Sequence, residues 1–412
     1  MPDSWLTAER LRLYPRLALA TCLLCALGLV LASKGGVDPR GRPLGYDFLC
    51  FYAGGRMALA GHAAAAYDLL QARQAQLAVF PGLAGDAVFG WYYPPTYFLV
   101  QAPLALLPYG LACAVWTAGT GALLVLAARP ALREPGTAWL LAASPAVLVN
   151  LFHGQNGFLT TALLVLGLRA RRRPALAGLC FGALTLKPQL GLLLPLVLAL
   201  ARQWRTILWA AATALLLAAL SAACFGPEPW RVFLTANAAL LRVLLERGIL
   251  PWPMMTSLFA AASMLGAPPA AAWALHAAWA AFVAGATAWL WWRQAPFPIA
   301  ASALMLGALA ATPHGFYYDM VLTLPPVWLL ARRARRTGWL PLEREALLAG
   351  YLAPAFLGLA EALKVVPIMP AALGLLFVTV LRRYAVEEGG AGRIAPIDPD
   401  PPPNLAVAGP RP

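Results

Sequence analysis

Apolar residues come along this chain in long blocks, separated by short polar or proline-rich connections. We read helices that span or enter a membrane at 17–33, 96–128, 137–150, 158–168, 175–186, 190–201, 206–225, 270–292, 299–311, 320–330, 346–360 and 368–381. Several are shorter than the ~20 residues a perpendicular helix needs to cross the hydrocarbon. Such segments are either shielded by neighbouring helices or belong to broken pairs around a water-filled cavity. The pattern predicts an all-α polytopic membrane protein with roughly ten to twelve transmembrane or partly embedded helices. Residues 1–16 read as a cytoplasmic N-terminus and 17–384 as the membrane domain. The tail, 385–412, is Pro-rich and expected to be disordered in the cytoplasm. Val30-Leu31-Ala32 resembles a weak cleavage site, but the length of the first block and the many spans after it favour a retained helix. No internal repeat is evident.

The first connection, 34–95, has elements of its own. Phe48, Phe51, Tyr52 and Leu59 give 48–60 one apolar side, which suits an interfacial helix. Asp68 followed by Gln71 reads as a capping-box-like start for a second helix, up to Phe80.

Composition sharpens this picture. Of 412 residues 61% are hydrophobic and 12% charged, about half the charge of a soluble domain. The net charge of +14 would suggest nucleic acid in a soluble protein. Here every second connection is basic: Arg129 and Arg133; Arg169 and Arg171 to Arg173; Arg202 and Arg205; Arg293; Arg332, Arg333, Arg335 and Arg336; Arg382 and Arg383. The intervening ones are nearly free of Lys and Arg except the two long loops, and long loops are translocated largely regardless of charge. The basic connections face the cytoplasm by the positive-inside rule, so no nucleic-acid partner is expected. The opposite side receives 34–95, LFHGQNG, the Lys187-Pro188-Gln189 turn, 226–269 and TPHGFYYD. Six cysteines lie mostly in apolar runs and read as core residues.

Several residues on that opposite side are candidates for chemistry. Asp47, in GYDF, is an acid at a membrane boundary, suited to general-base work or to pairing with Arg40, Arg42 or Arg56. Lys187 interrupts an apolar stretch at a cost of at least ~2.5 kcal/mol on insertion scales, so it has an anionic partner, snorkels, or meets a lipid-linked phosphate. His314 and Asp319 either pair with each other or face the cleft. His153, Gln155 and Asn156 either recognise hydroxyls or cap a tight turn. Tyr93 lies in WYYPPTYF, which reads as an interfacial aromatic belt or a sugar-stacking platform. Arg231, Arg242 and Arg247, with Trp230 and Trp252, give 226–269 a basic aromatic character.

The ordered set YDFLCFYAGGRMALAG (46–61), YYPPTYFLVQAPLALLP (92–108), GQNGFLTTALLVLGL (154–168), LCFGALTLKPQLGLLLPL (179–196) and TPHGFYYDMVLTLP (312–325) resembles glycosyltransferase family 87. The resemblance implies the GT-C architecture and an inverting transfer of a hexose, mannose in known members, from a polyprenyl phosphate to a lipid or glycan acceptor. The site would lie on the periplasmic face of a bacterial-type plasma membrane. Asp47 occupies the position of the family's general base, and Lys187 and His314 match its Lys-Pro motif and later His. We group Lys187, His314 and Arg56 at the donor phosphate, and Tyr93, His153, Gln155, Asn156 and Asp319 at sugar or acceptor. One Asp in the first-loop motif, rather than an acidic pair, argues against a required divalent metal, and no cofactor is expected. A transporter or flippase of a lipid-linked intermediate is the competing class. Such proteins place sites near the midplane between repeats, whereas here the polar motifs gather on one face.

Overall fold

The computed structural model describes residues 7–84, 89–363 and 366–389. Its elements are helices joined by short turns, and isolated two-residue bridges are the only β pairing among the described residues. α1 (Ala8–Ala32) begins where the Thr7 side chain accepts the Arg10 N–H, so the basic segment ahead of the first apolar block is already helical. In the first connection α2 (Phe48–Leu59) is followed by α3 (Leu69–Val79), which Asp68 caps by accepting from the N–H groups of Leu70 and Gln71.

The span expected over 96–128 is two helices, α4 (Phe98–Leu104) and α5 (Tyr109–Leu132). Pro108, which has no N–H to continue a helix, sits at the N-cap of α5. Then come α6 (Thr137–Ala142), α7 (Pro145–His153), α8 (Gly157–Arg169), α9 (Pro174–Ala183), α10 (Leu194–Leu200), α11 (Trp204–Phe225), α12 (Glu228–Val232), α13 (Ala238–Glu246) and α14 (Leu258–Met264). The chain closes with α15 (Pro269–Trp292), α16 (Phe297–Ala311), α17 (Leu324–Thr337), α18 (Glu343–Leu352), α19 (Leu357–Leu363) and α20 (Ile368–Gly389). Prolines also divide the expected spans 320–330 and 346–360. The first is a 3-10 turn over Tyr317–Thr323 leading into α17, and the second is α18, a turn containing Pro354, and α19. α20 carries helix past residue 384; the rest of the expected disordered tail lies outside the described residues.

Among the described residues five helices are long and apolar enough to cross a membrane: 12–32, 109–132, 204–225, 269–292 and 368–388. In the first and third, 6% of the apolar window is buried inside the protein, so their side chains face outward, toward lipid in a membrane. The short α16 is the opposite case, with twelve of its fifteen residues buried. Short apolar helices here are shielded by protein, which lets them stop before the far side of a bilayer.

Two close approaches set the frame of the site. Gly178 and Gly182 lie one turn apart on α9, and a Cβ at either would come within 2.3 Å of Trp209 Cβ or 2.5 Å of the Ala210 carbonyl oxygen. This small-xxx-small pair lets α9 press onto α11 and holds the turn that carries Lys187. Gly54 and Gly55 do the same for α2 against Trp91 and the Gln101 backbone. Consequently the apolar side of α2 meets protein: nine of its twelve residues are buried. The aromatic belt reading of WYYPPTYF is corrected in the same way. Trp91 is 2% exposed and stacks on Phe98 with ring centroids 4.2 Å apart, and Tyr97 is fully buried. These rings form the core between the first connection and the bundle.

Candidate functional site

Asp47 stands at the N-terminus of α2, directly after Tyr46, whose φ of +39° lies in the left-handed region. For a bulky residue this conformation costs of order 1–3 kcal/mol and persists only when its surroundings enforce it. The Tyr46 ring packs on His153 with centroids 4.9 Å apart, and its hydroxyl donates to Asp38 at 3.3 Å.

The second contribution comes from the turn between α7 and α8. Gly154 ends α7 with φ of +58°, and a side chain there would strike Phe48 Cβ at 2.6 Å, so the turn lies directly on α2. Capping of this turn falls to Asn150, which accepts the Gly157 N–H at 2.8 Å and donates to the Gln155 carbonyl at 3.1 Å. The side chains of His153 and Gln155 are thereby free to converge on Asp47. Gln155 Nε2–H donates to Asp47 Oδ2 at 3.0 Å, and His153 Nδ1 lies 3.2 Å from the same oxygen. On its other side His153 Nε2 lies 2.6 Å from the Tyr317 hydroxyl. A neutral imidazole satisfies both contacts with Nδ1–H donating to Asp47 and Nε2 accepting from Tyr317. Gln155 Oε1 accepts from the Tyr93 hydroxyl at 3.3 Å and the Asn156 N–H at 3.2 Å. Both partners of Asp47 thus engage Oδ2. Among the described residues no hydrogen bond is made to Oδ1, and the side chain is 24% exposed.

The third contribution is the break between α9 and α10. Pro188 ends the helical run and puts Lys187 at φ −145°, ψ 73°. Lys187 is 4% exposed. It does not snorkel; its Nζ donates to Asp319 Oδ1 at 2.5 Å and to Asn156 Oδ1 at 3.2 Å, with the Tyr318 ring centroid 5.3 Å away. Asp319 in turn accepts the Phe316 N–H on Oδ2 at 3.2 Å. The anionic partner Lys187 requires is therefore Asp319. Asp319 pairs with Lys187 rather than His314, and Asp47 engages His153 and Gln155 rather than an arginine.

Two grouped residues stand apart from this cluster. Arg56 is exposed near the other end of α2, about 13 Å along the axis from Asp47 at 1.5 Å per residue. His314 lies beside His276, and its Nε2 is buried with no hydrogen-bond partner among the described residues. Burial, and then the neighbouring His276, push its pKa from 6.5 down to about 4. In the unfolded chain His314 would bind a proton near pH 6.5, whereas the fold resists protonation until about pH 4. Stability therefore falls as pH drops through this window. Melting temperatures measured between pH 7 and 4.5 should decline, and His314→Gln should make the decline shallower; equal slopes would remove His314 as its source.

Arg231 and Arg242 form exposed ion pairs with Glu228 and Glu246 on their own helical stretches. Sequence reasoning missed Tyr317 and Tyr46, although both sit in motifs it quoted. The residues of the cluster come from five stretches far apart in sequence, at 46–47, 93, 150–157, 187 and 317–319, and hydrogen bonds link Asp47 to the rest.

A family model for glycosyltransferase family 87 matches residues 91–313, a stretch carrying Tyr93, His153, Gln155, Asn156 and Lys187. No curated protein and no solved structure matches the chain. Asp47 and Asp319 lie outside the matched stretch yet are bonded to residues within it. With more than half its length matched and its apolar helices built to cross a bilayer, the chain belongs to glycosyltransferase family 87 and is a membrane glycosyltransferase.

Proposed function

We propose that the protein transfers a hexose, mannose in our reading, from a polyprenyl phosphate to a hydroxyl of a lipid or glycan acceptor on the extracytoplasmic face of a bacterial-type plasma membrane. The observation that carries this reading is the Asp47 carboxylate, fixed through Oδ2 by Gln155 and His153 while Oδ1 stays open. A sugar hydroxyl is a poor nucleophile at neutral pH, so its proton must leave as it attacks. In a single displacement the acceptor oxygen bonds to the anomeric carbon and the bond to the phosphate oxygen breaks. Polyprenyl phosphate departs as an anion, and the acceptor proton passes to Asp47 Oδ1. Such a leaving group needs no strong general acid, so one carboxylate suffices. One displacement inverts the anomeric configuration.

In this reading Gln155, His153 and Tyr317 orient the base, while Tyr93 and Asn156 border the sugar or acceptor. Lys187 uses two of its three N–H groups on Asn156 and Asp319, and we assign the third to the donor phosphate. The alternation of arginine-rich connections supports the extracytoplasmic placement. Purified protein incubated with radiolabelled polyprenyl-phosphate-mannose and a membrane lipid extract should yield a labelled, larger glycolipid or glycan. Transfer from a nucleotide sugar, with none from the polyprenyl donor, would overturn the donor assignment.

A further inference from the structure

A sizeable cavity lies away from Asp47. A space of about 1000 Å³ opens among α5, α8, α16, α17 and α18, at the arginine-rich ends of these helices. Thr161 on α8 marks its depth and Arg169, eight residues on, its mouth. At 1.5 Å per residue the two lie about 12 Å apart along the helix axis. The inner wall is apolar, with Leu124, Val165, Met305, Leu324 and Leu347.

Eight arginines line the cavity, and no acid does among the described residues. Glu134 pairs with Arg332 and Arg335, and Glu387 with Arg333. Arg171 has the Phe297 ring 4.2 Å away and Arg344 the Trp339 ring at 4.8 Å. For Arg12 and Arg336 no ion pair or hydrogen bond is found among the described residues. The positive-inside rule accounts for arginines near this end, but not for a cavity beneath them.

We propose that this cavity binds an anionic diacyl phospholipid, its phosphate among the mouth arginines and its chains against the apolar wall. Uncompensated positive charge selects an anion, the apolar depth selects an amphiphile over a free phosphate, and the width between five helices admits more than one chain. Basic pockets between membrane helices are suited to such headgroups.

Binding of dioctanoyl phosphatidylglycerol to the full-length protein in detergent, measured by native mass spectrometry and thermophoresis, tests this. It should exceed binding of dioctanoyl phosphatidylcholine. The double variant Arg12→Gln/Arg336→Gln, which breaks no ion pair or hydrogen bond among the described residues, should weaken it about thirtyfold. Leu348→Trp, which fills the wall, should weaken both lipids without removing charge. Equal affinity for the two headgroups, or an unchanged affinity in both variants, would overturn the proposal. So would full competition by inorganic phosphate at the lipid's own concentration, or tighter binding of a polyprenyl phosphate that the same variants abolish. The readout is binding alone, so it is independent of the transfer reaction.

Discussion

Asp47→Asn should reduce turnover by about 10²–10⁴-fold, the usual contribution of general-base catalysis, while the protein folds and still binds its donor. Asparagine keeps the shape of the side chain but cannot take a proton. It can retain one acceptor oxygen toward Gln155 Nε2, so the turn over 153–157 should stay in place. Loss confined to turnover, with donor affinity retained, marks an interaction made only in the transition state. His153→Gln should give a smaller loss, because it removes the group that holds Asp47 and not the base itself. Near-normal turnover in folded Asp47→Asn would sink the assignment, and a matching collapse in His314→Gln would move the role there.

The structure weakens the case for His314 as that base in one respect and strengthens it in another. A pKa held near 4 keeps the imidazole neutral at neutral pH, as a base must be, but a base so weak drives proton transfer poorly. A neutral His314 also brings no positive charge to a phosphate. Its neighbours in space are His276 and the backbone of Leu241, not the Asp47 cluster.

What the sequence revealed and what it concealed follow from how each feature is encoded. Asp47, Lys187 and the HGQN turn were legible because a polar residue in an apolar block needs a reason. The start of α3 was legible because an Asp cap is a local signal. Shielding was not legible, since α2 and α16 read as apolar whether they meet lipid or protein; only Gly54, Gly55 and their neighbours across the gap decide it. The pairing of Lys187 with Asp319 spans 132 residues, and no local pattern specifies which anion a buried cation will find. Tyr317 was passed over for a related reason: its hydroxyl has meaning only once His153 lies beside it.

That long-range pair gives the other large expected effect. Lys187→Met should cost about 3–5 kcal/mol of stability, because it leaves the Asp319 carboxylate, 1% exposed, without its counter-charge. Asp319→Asn should rescue it: the amide removes the orphaned charge and keeps an oxygen for the Phe316 N–H. In the double variant Lys187→Met/Asp319→Asn, melting temperature should return most of the way to wild type. Donor affinity should not. If the third Nζ hydrogen meets the donor phosphate, its loss costs about 1.5–3 kcal/mol, roughly ten- to a hundred-fold in binding, and Asp319→Asn restores none of it. The two roles of Lys187 therefore separate in one pair of measurements, thermal unfolding and donor binding. If affinity recovers together with stability, Lys187 acts only as the lock between the α9–α10 turn and the turn at Tyr317–Thr323. The donor phosphate must then be held by other groups.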